Sequence, residues 1–370
     1  MKTDKTYNSK CSNSSIDIVF FKTITTTIND FSMIKSGDVV LVTVSGGSDS
    51  ISLVLSLLAL KDKYGIKIGI AHLNHMLRGE ESLRDEAFVE KFAKKLALPF
   101  YCRQIDVKGH AKKHGLSIEE AGRELRYDFF QHLADQHGYT KIATGHNKED
   151  NAELVLINLL RGAGPKGLSG IPPIRDEIYI RPMIRISKKE ILEFLKSRTQ
   201  EFMFDSSNDD MAYLRNRIRC KLLPFLQSEF NPEIIDALDR VSNILKIEED
   251  YFKNETQKAF KFCLLKTDTS SVAFSKKNLS DLHPAILNRV LRKAIKKIKK
   301  NLNSISLGHI NDIVHFIFTS FSGSSLDLPD RIRVYKDSDT VIFKKENKPL
   351  REIGKKNKQK RENNIFFDLS

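Results

Sequence analysis

The chain has 370 residues, a formal net charge of +14 and a pI near 9.4. This length allows two domains with separate cores, and the charge favours a polyanionic partner, although a basic surface that only aids solubility fits it equally well. The four cysteines are scattered without a Cys-x-x-Cys pair, which argues against a disulfide framework and against a zinc or iron–sulfur site.

The first segment, residues 1–32, is rich in Ser, Thr, Asn and Lys and predicts a polar extension with a short amphipathic piece. The apolar run at 16–21 is too short for a signal peptide or a membrane helix. We therefore expect a cytoplasmic protein with no membrane partner.

Residues 33–210 alternate between apolar strand patterns and amphipathic helix patterns. Strands are predicted at 38–44, 66–72, 100–105, 140–144 and 178–181, and helices at 50–62, 80–97, 117–137, 149–161 and 187–198. This alternation predicts βαβ units and an α/β domain built on a parallel sheet.

A second domain is predicted over 211–343. Its first part shows no convincing buried strand, and helical patterns continue to about 318, so we expect a smaller, mainly helical domain. A short strand-like piece at 326–343 follows, and residues 344–370 form a Lys-rich tail.

The most informative segment joins the first strand of the α/β domain to its first helix. Its sequence is Ser45-Gly46-Gly47-Ser48-Asp49-Ser50. The two glycines allow a tight turn that points successive N–H groups outward at a helix N-terminus, where a phosphate or pyrophosphate binds. The three serine hydroxyls can donate to the same oxygens. The segment therefore predicts a nucleotide site.

This loop differs from a Walker loop, because no lysine follows the glycines and Asp49 takes a central place. A carboxylate repels polyphosphate unless a divalent cation lies between them, so Asp49 implies Mg²⁺. A plain Ser/Gly turn is the alternative, and the S-G-G-x-D-S pattern after a buried strand disfavours it.

Two other segments carry polar residues suited to binding. His72 and Arg78 follow the second predicted strand, and ligands of open α/β sheets bind beyond the carboxyl ends of strands. Arg123 and Arg126 share one face of the third predicted helix, and their guanidinium forks suit phosphate or carboxylate. Ion pairing with neighbouring glutamates on the helix surface is an equally good explanation of these two arginines.

The fourth predicted strand leads into a further group of polar residues. His146, Asp150 and Glu153 are spaced i, i+4 and i+7, so they project from one side of a helix at the strand's carboxyl end. A histidine with two carboxylates there could hold Mg²⁺ and manage a proton. Alternatively, the acidic residues only complement the helix dipole.

Together these segments resemble the tRNA(Ile)-lysidine synthetase family of the ATP pyrophosphatase, or PP-loop, superfamily. The resemblance runs from about 37 to 343 and includes H-x-N-H-x-L-R-G-E-E-S at 72–82 and A-x-R-E-x-R-Y at 121–127. Its most specific part is Phe204-Asp205-Ser206-Ser207-Asn208, followed by Tyr213-Leu214-Arg215-Asn216-Arg217-Ile218-Arg219 and Leu222-Leu223-Pro224.

The resemblance implies ATP-dependent ligation of L-lysine to C2 of the wobble cytidine in the CAU anticodon of tRNA(Ile). The reaction passes through an adenylated cytidine and gives lysidine, AMP and pyrophosphate. Catalysis is then assigned to Asp49, Arg126, His146 and Asp150, with Asp49 and Asp150 as Mg²⁺ ligands. The ATP contacts are assigned to Ser45–Ser50 and His72.

Binding of tRNA and lysine is assigned to a wider set of residues. Basic residues from 289 to 300 fall largely on one helical stripe, which favours a surface that follows phosphates. The assigned residues are Arg78, Arg123, Glu153, Arg215, Arg217, Arg219, Lys293, Lys296 and Lys297.

The chain departs from the family pattern in two places. The usual paired aspartates read Glu149-Asp150, which shifts the weight to Asp150, and the final domain of longer members is expected to be missing or reduced to the tail. Three alternatives remain: a base-thiolating PP-loop enzyme, a synthetase that amidates a small metabolite, and a non-catalytic RNA-binding protein. The sequence leaves open whether the chain forms a homodimer.

Overall fold

The structure, a computed structural model, describes residues 15–204 and 211–348. The chain divides after Lys246 into two compact units. The first unit contains helices α1 Ser15–Asp30, α2 Ser48–Tyr64, α3 Glu80–Lys95, α4 Val107–His114, α5 Ile118–His137, α6 Lys148–Leu160, α7 Pro165–Leu168, α8 Lys188–Ser197, α9 Leu214–Arg217 and α10 Leu223–Glu229. Its strands are β1 Val39–Thr43, β2 Lys67–Asn74, β3 Phe100–Gln104, β4 Lys141–Ala143, β5 Ile174–Arg175 and β6 Tyr179–Ile180.

The sheet of the first unit has the strand order β3-β2-β1-β4-β6-β5. The pairs β1–β2, β1–β4, β2–β3 and β4–β6 are parallel, whereas β5 and β6 are antiparallel. This confirms the α/β prediction. Because β1, β2 and β4 run in the same direction, the segments that follow them begin at one edge of the sheet.

Helix α1 corrects the prediction of a polar extension over 1–32. Its residues Phe20, Ile24 and Ile28 recur every four positions and are fully buried in the main core. The Phe20 ring stacks on that of Phe194 in α8, with ring centroids 4.1 Å apart. A single apolar stripe in an otherwise polar helix is enough to make α1 part of the α/β unit. Residues 1–14 lie outside the described residues.

The division after Lys246 lies later than the predicted boundary at 210/211. Helices α9 and α10 and the π-helical turn between them, Ile218–Leu222, pack on α6 through a small apolar cluster. In that cluster Ile218 and Leu223 meet Leu156 and Ile157. Helix α11, Ile234–Cys263, contains the division. The change from strands to helices therefore does not mark the end of the first unit.

The second unit corrects the prediction of a mainly helical domain. It holds a five-stranded antiparallel sheet of order β7-β8-β11-β10-β9, with helices α12, α13 and α14. Its elements are β7 Leu264–Thr267, β8 Ser271–Ser275, α12 Lys276–Ser280, α13 Pro284–Lys299, α14 Leu307–Thr319, β9 Ser325–Leu328, β10 Ile332–Lys336 and β11 Thr340–Lys345. The predicted strand-like piece corresponds to β9, β10 and part of β11.

The missed hairpin, β7–β8, is short and begins directly after α11. In β8 only Val272 and Phe274 are buried, and Asp268 closes the turn by accepting from the N–H groups of Ser270 and Ser271. Two apolar residues in alternation give too weak a period to be recognised beside a long helix. In the described ranges, no helix is long and apolar enough to cross a membrane.

Candidate active site

The loop between β1 and α2 is held in place by its own hydrogen bonds. The Ser50 hydroxyl donates to the carbonyl of Gly47 at 2.9 Å and accepts from the N–H of Ser45 at 3.3 Å. Gly46 has φ +94°, where a side chain would be strained, and its carbonyl accepts from Met203 N–H at 2.9 Å. The proton of Ser50 is thus used within the loop, whereas the sequence suggested that it would reach a ligand.

The start of α2 is suited to an anion. Helices α5, α6 and α8 each begin with a complete capping box, so their first N–H groups have side-chain partners. Helix α2 begins after Gly47, which has no side chain to offer as a cap. An anionic ligand can take that role and gains from the positive end of the helix dipole.

A close approach by the segment after β4 keeps this loop at the sheet edge. A Cβ added to Gly145 would lie 3.2 Å from both the carbonyl carbon of Asp49 and the amide nitrogen of Ser50. Only glycine fits there without displacing the loop. The segment containing His146 and the phosphate loop are therefore neighbours, as the sequence predicted.

Asp49 has a cationic partner that the sequence analysis missed. The ammonium group of Lys188, the first residue of α8, lies 2.9 and 2.8 Å from the two carboxylate oxygens of Asp49. It also donates to the Ser48 hydroxyl at 2.7 Å. The loop therefore does have a lysine beside it, although this lysine comes from α8 and not from the position directly after the glycines. The Ser187–Glu190 capping box, which fixes where α8 begins, was the available sequence signal.

Asn147 connects Asp49 to Asp150. Its side-chain nitrogen donates to Oδ1 of Asp49 at 3.1 Å, and its side-chain oxygen accepts from the N–H of Asp150 at 2.9 Å. Asn147 is buried and is the N-cap of α6. One side chain thus links the phosphate loop to the acidic face of α6.

The carboxylates of that face are bound by two arginines. Arg215 donates from Nε to Glu153 at 2.7 Å and from a terminal nitrogen to Asp150 at 2.6 Å. Arg219 donates from Nε to Glu153 at 2.6 Å and from a terminal nitrogen to Asp150 at 3.1 Å. The π-helical turn that contains Arg219 keeps both arginines directed at α6. In this structure Arg215 and Arg219 contact carboxylates, whereas Arg217 is exposed.

Asp150 is an ionised carboxylate in this setting. Burial, the largest single influence, raises its pKa, but Arg215, His146, Arg219 and the N–H of Asn147 together outweigh burial, and the pKa lies below its usual value. Burial raises the pKa of the neighbouring Glu149, whose carboxylate accepts from the N–H of Lys188 at 2.9 Å. The preference for Asp150 over Glu149 as the reactive carboxylate therefore has a physical basis.

The sequence analysis predicted that Asp49 and Asp150 share Mg²⁺, and in this structure the two carboxylates have separate partners. Asp49 contacts Lys188 and Asn147, while the oxygens of Asp150 accept from Arg215, Arg219 and the N–H of Asn147. Within 15–204 and 211–348, no group of three His, Cys, Asp or Glu side chains could hold a metal ion. Mg²⁺ commonly binds through one carboxylate and substrate phosphates, so Asp49 alone fits such an ion.

The histidines of the site are neutral near pH 7. Burial lowers the pKa of His146 to about 4, although Asp150 opposes the shift, and its Nδ1 lies 2.8 Å from the Thr144 hydroxyl. Burial likewise lowers the pKa of His72, whose Nδ1 lies 2.7 Å from the carbonyl of Val44. Because a carbonyl only accepts, Nδ1 of His72 carries the proton and Nε2 is left as an acceptor.

The other assigned arginines have different surroundings. Arg78 donates to the buried carboxylate of Asp85 at 3.0 Å, so its guanidinium group also stabilises α3. Arg126 contacts Nε2 of His75 at 3.3 Å, and the exposed Arg123 lies over the Tyr127 ring, 5.7 Å from its centroid. The helix that carries Arg123 and Arg126 starts at a capping box formed by Ser117 and Glu120.

The basic stripe of the second unit is only partly exposed. Arg289 pairs with Glu249 at 2.8 Å, the buried Lys299 pairs with Asp330 at 2.5 Å, and Lys293 donates to Gln257. Lys296 and Lys297 are exposed on α13. The exposed basic surface is thus smaller than the sequence suggested, because only two of the three assigned lysines face solvent. The predicted signature at 205–208 lies outside the described residues.

Comparison with known proteins places this geometry in a family. Residues 20–226 match the PP-loop domain family. A tRNA(Ile)-lysidine synthase of Clostridium tetani is 39% identical over 330 residues, which are 89% of this chain and 69% of that relative. One of Clostridioides difficile is 37% identical over 331 residues, covering 89% of this chain and 71% of the relative. The chain belongs to the tRNA(Ile)-lysidine synthase family.

Solved structures agree on the fold. A U34-tRNA thiolase of Methanococcus maripaludis matches with a TM-score of 0.52 and 16% identity, covering 62% of this chain and 79% of the thiolase. At that identity the likeness concerns the fold alone. The resemblance stated from the sequence is confirmed by the lysidine synthase relatives, and the thiolating and amidating alternatives are not favoured.

Proposed function

We propose that this protein ligates L-lysine to C2 of the wobble cytidine in the CAU anticodon of tRNA(Ile), using ATP and producing lysidine, AMP and pyrophosphate. One observation carries the proposal beyond family membership. Asn147 contacts both Asp49 in the phosphate loop and Asp150 in the acidic pair. A site that activates with ATP and a site that holds an amine therefore share one sheet edge.

The phosphate loop binds the triphosphate of ATP. The N–H groups at the start of α2 face the phosphates, and the hydroxyls of Ser45 and Ser48 add donors. His72, whose Nδ1 lies 2.7 Å from the carbonyl of Val44 directly before the loop, contacts the nucleoside. Asp49 would hold Mg²⁺, and the ion would supply positive charge between this carboxylate and the phosphates.

Activation begins when the O2 oxygen of the cytidine attacks the α-phosphorus of ATP. The bond to the β-phosphate oxygen breaks, and pyrophosphate leaves. Arg126 stabilises the charge that develops on the α-phosphate. Because the cytidine lies in a single-stranded loop, it can enter the pocket without melting a duplex.

Ligation follows when the ε-amine of lysine attacks C2 and AMP leaves with the former O2 oxygen. The amine must lose a proton to act as a nucleophile. Asp150 and His146 are our candidates for orienting the amine and taking its proton. Both are weak bases, because the pKa of His146 is about 4 and that of Asp150 lies below its usual value, so either one would pass the proton on to solvent. Glu153 binds the α-ammonium group of the lysine substrate, which replaces a guanidinium contact of this carboxylate.

The tRNA backbone is held by cations at the surface of each unit. Arg217 of the first unit and Lys296 and Lys297 of the second are exposed, and all three can neutralise phosphates. The cytoplasm is the compartment that we propose, because tRNA, ATP and lysine meet there.

The deciding experiment incubates the full chain with unmodified CAU-anticodon tRNA(Ile), ATP, Mg²⁺ and lysine, and analyses the nucleosides by mass spectrometry. Reactions without lysine or without ATP are the controls. We expect a cytidine heavier by one lysyl group together with AMP release. Asp49→Asn should abolish both products, whereas Asp62→Asn, at an exposed position of α2, should leave them unchanged. Unmodified cytidine despite tight tRNA binding would overturn the proposal.

A further inference from the structure

Lys188 makes close contacts with the phosphate loop, and no sequence pattern indicated them. Its ammonium group lies within 3 Å of three loop oxygens, namely both carboxylate oxygens of Asp49 and the hydroxyl of Ser48. Its side chain is 41% exposed and that of Asp49 is 31% exposed, so solvent reaches the contact. A ligand entering the loop from solvent therefore meets this ammonium group.

The backbone of Lys188 is fixed from two directions. Its N–H donates to Glu149 of α6 at 2.9 Å, and the preceding residue, Ser187, forms the capping box with Glu190. In return, the N–H of Lys148 donates to the carbonyl of Ile186 at 2.9 Å. The Cα of Lys188 is thus held at the loop, while its four-carbon side chain keeps the freedom to move the ammonium group.

The charges of the loop explain why a mobile cation is useful there. The start of α2 attracts an anion, but Asp49 in its first turn repels one. In the free protein the ammonium group neutralises Asp49. When a divalent cation and a polyphosphate enter, the cation takes the carboxylate, and the ammonium group gains a closer anionic partner in the phosphate oxygens.

We propose that Lys188 is a phosphate-positioning residue, whose ammonium group neutralises Asp49 in the free protein and moves to the pyrophosphate moiety of bound ATP. This inference rests on the proposed ATP-dependent function. The same contact would then stabilise the departing pyrophosphate, because a positive charge offsets the negative charge that the leaving group gains.

The test measures binding of pyrophosphate and of AMP to the full chain by calorimetry, with Mg²⁺ present. Lys188→Met removes the charge at nearly constant volume, and Lys189→Met is the matched control at the exposed neighbouring position. We expect Lys188→Met to weaken pyrophosphate binding about tenfold or more, the value of one charge-assisted hydrogen bond. AMP binding should change less than about twofold, and Lys189→Met should change neither.

Pyrophosphate affinity that is unchanged in Lys188→Met, or AMP affinity that falls equally, would overturn the proposal. A second measurement uses Mn²⁺ alone as a probe of Asp49, without nucleotide. Because Lys188→Met lacks the competing ammonium group, it should bind Mn²⁺ more tightly than the wild type does. Damage to the site would instead weaken Mn²⁺ binding. Equal Mn²⁺ affinity would contradict the neutralising role.

Lys188→Arg keeps the positive charge and covers the case in which the methionine variant fails to fold. It should retain pyrophosphate affinity and weak Mn²⁺ binding, and loss of pyrophosphate binding in a folded Lys188→Arg would count against the proposal. None of these measurements needs tRNA or lysine. If the wild type failed to form lysidine, the proposed function would be rejected. The pyrophosphate and Mn²⁺ affinities of the Lys188 variants could still be interpreted.

Discussion

Arg215 Nε lies 2.7 Å from Oε2 of Glu153, and the two partners differ sharply in exposure. The Glu153 side chain is completely buried, whereas that of Arg215 is 40% exposed. A buried carboxylate is costly unless a cation compensates it. The anionic end of this pair is thus shielded from water, whereas its cationic partner contacts solvent.

Replacing Glu153 by Gln should destabilise the protein. Glutamine keeps the shape but loses the charge that binds Arg215 and Arg219, so we expect the free energy of unfolding to fall by about 1–3 kcal/mol. This loss of stability is smaller than the loss expected for a fully buried ion pair, because both guanidinium groups are partly exposed. Urea denaturation measures the change, and Glu80→Gln, at an exposed position, is the control. A midpoint identical to the wild type would contradict this account.

Asp150→Asn should slow lysine incorporation about a hundredfold while leaving ATP binding within about twofold of the wild type. Asparagine can still accept from the N–H of Asn147 and preserve the cap of α6, but it cannot carry the charge that the pKa of Asp150 indicates. Initial rates at varied lysine, together with calorimetry for ATP, check both statements. Asp128→Asn on α5 is the exposed control. Normal incorporation would remove Asp150 from the mechanism.

Stability should fall with acid over the range set by His75. Its pKa is lowered from 6.5 to about 4, first by burial and then by Arg126. Between these values the unfolded chain binds more protons than the folded one, so stability is full above pH 6.5 and is lost as the pH falls towards 4. The loss from this group is on the order of 3 kcal/mol.

His75→Gln should therefore reduce the change in urea midpoint between neutral and mildly acidic pH. Some dependence of the urea midpoint on pH should remain, because the pKa of His146 is lowered as well. His132→Gln, at an exposed position, should leave the slope as in the wild type. A His75→Gln variant with an unchanged slope would show that the imidazole of His75 protonates freely in the fold.

The double variant Lys296→Gln, Lys297→Gln should weaken tRNA binding and flatten its dependence on salt. Each phosphate contact that is lost lowers the slope of log K against log salt by about 0.9, so two contacts give a change of up to about 2. Filter binding over a series of salt concentrations measures this. The control replaces Lys112 and Lys113, two exposed lysines of α4. Equal slopes in both double variants would make the pair on α13 a solubility feature.

The parts of the fold that follow from local pattern were predictable from the sequence. The strand β1 and the helix α2 lie within two residues of their predicted bounds, because a buried β-branched run and a glycine turn are strong signals. The hairpin β7–β8 and the burial of α1 were missed. Both depend on partners distant in sequence, such as Phe194 for Phe20 and β11 for β8.

The site shows the same division. The sequence could single out residues of the phosphate loop, His146 and Asp150 as candidates, because each follows a strand at its carboxyl end. The contact of Lys188 with Asp49 joins residues 139 positions apart, and that of Arg215 with Glu153 joins residues 62 positions apart. Spacing along a single helix carries no information about such pairs. It placed Arg215 and Arg219 towards RNA, whereas they contact carboxylates in the free protein.

The hydrogen bonds that close the phosphate loop, from Ser50 to Gly47 and from Met203 to Gly46, bear on the entropy of nucleotide binding. A loop already held in its bound shape loses little conformational entropy when the ligand arrives. Most of the interaction enthalpy with the phosphates then appears as affinity. Removal of the Ser50 hydroxyl should make nucleotide binding entropically more costly while its enthalpy changes little, because the ordering that folding now supplies would fall to the ligand.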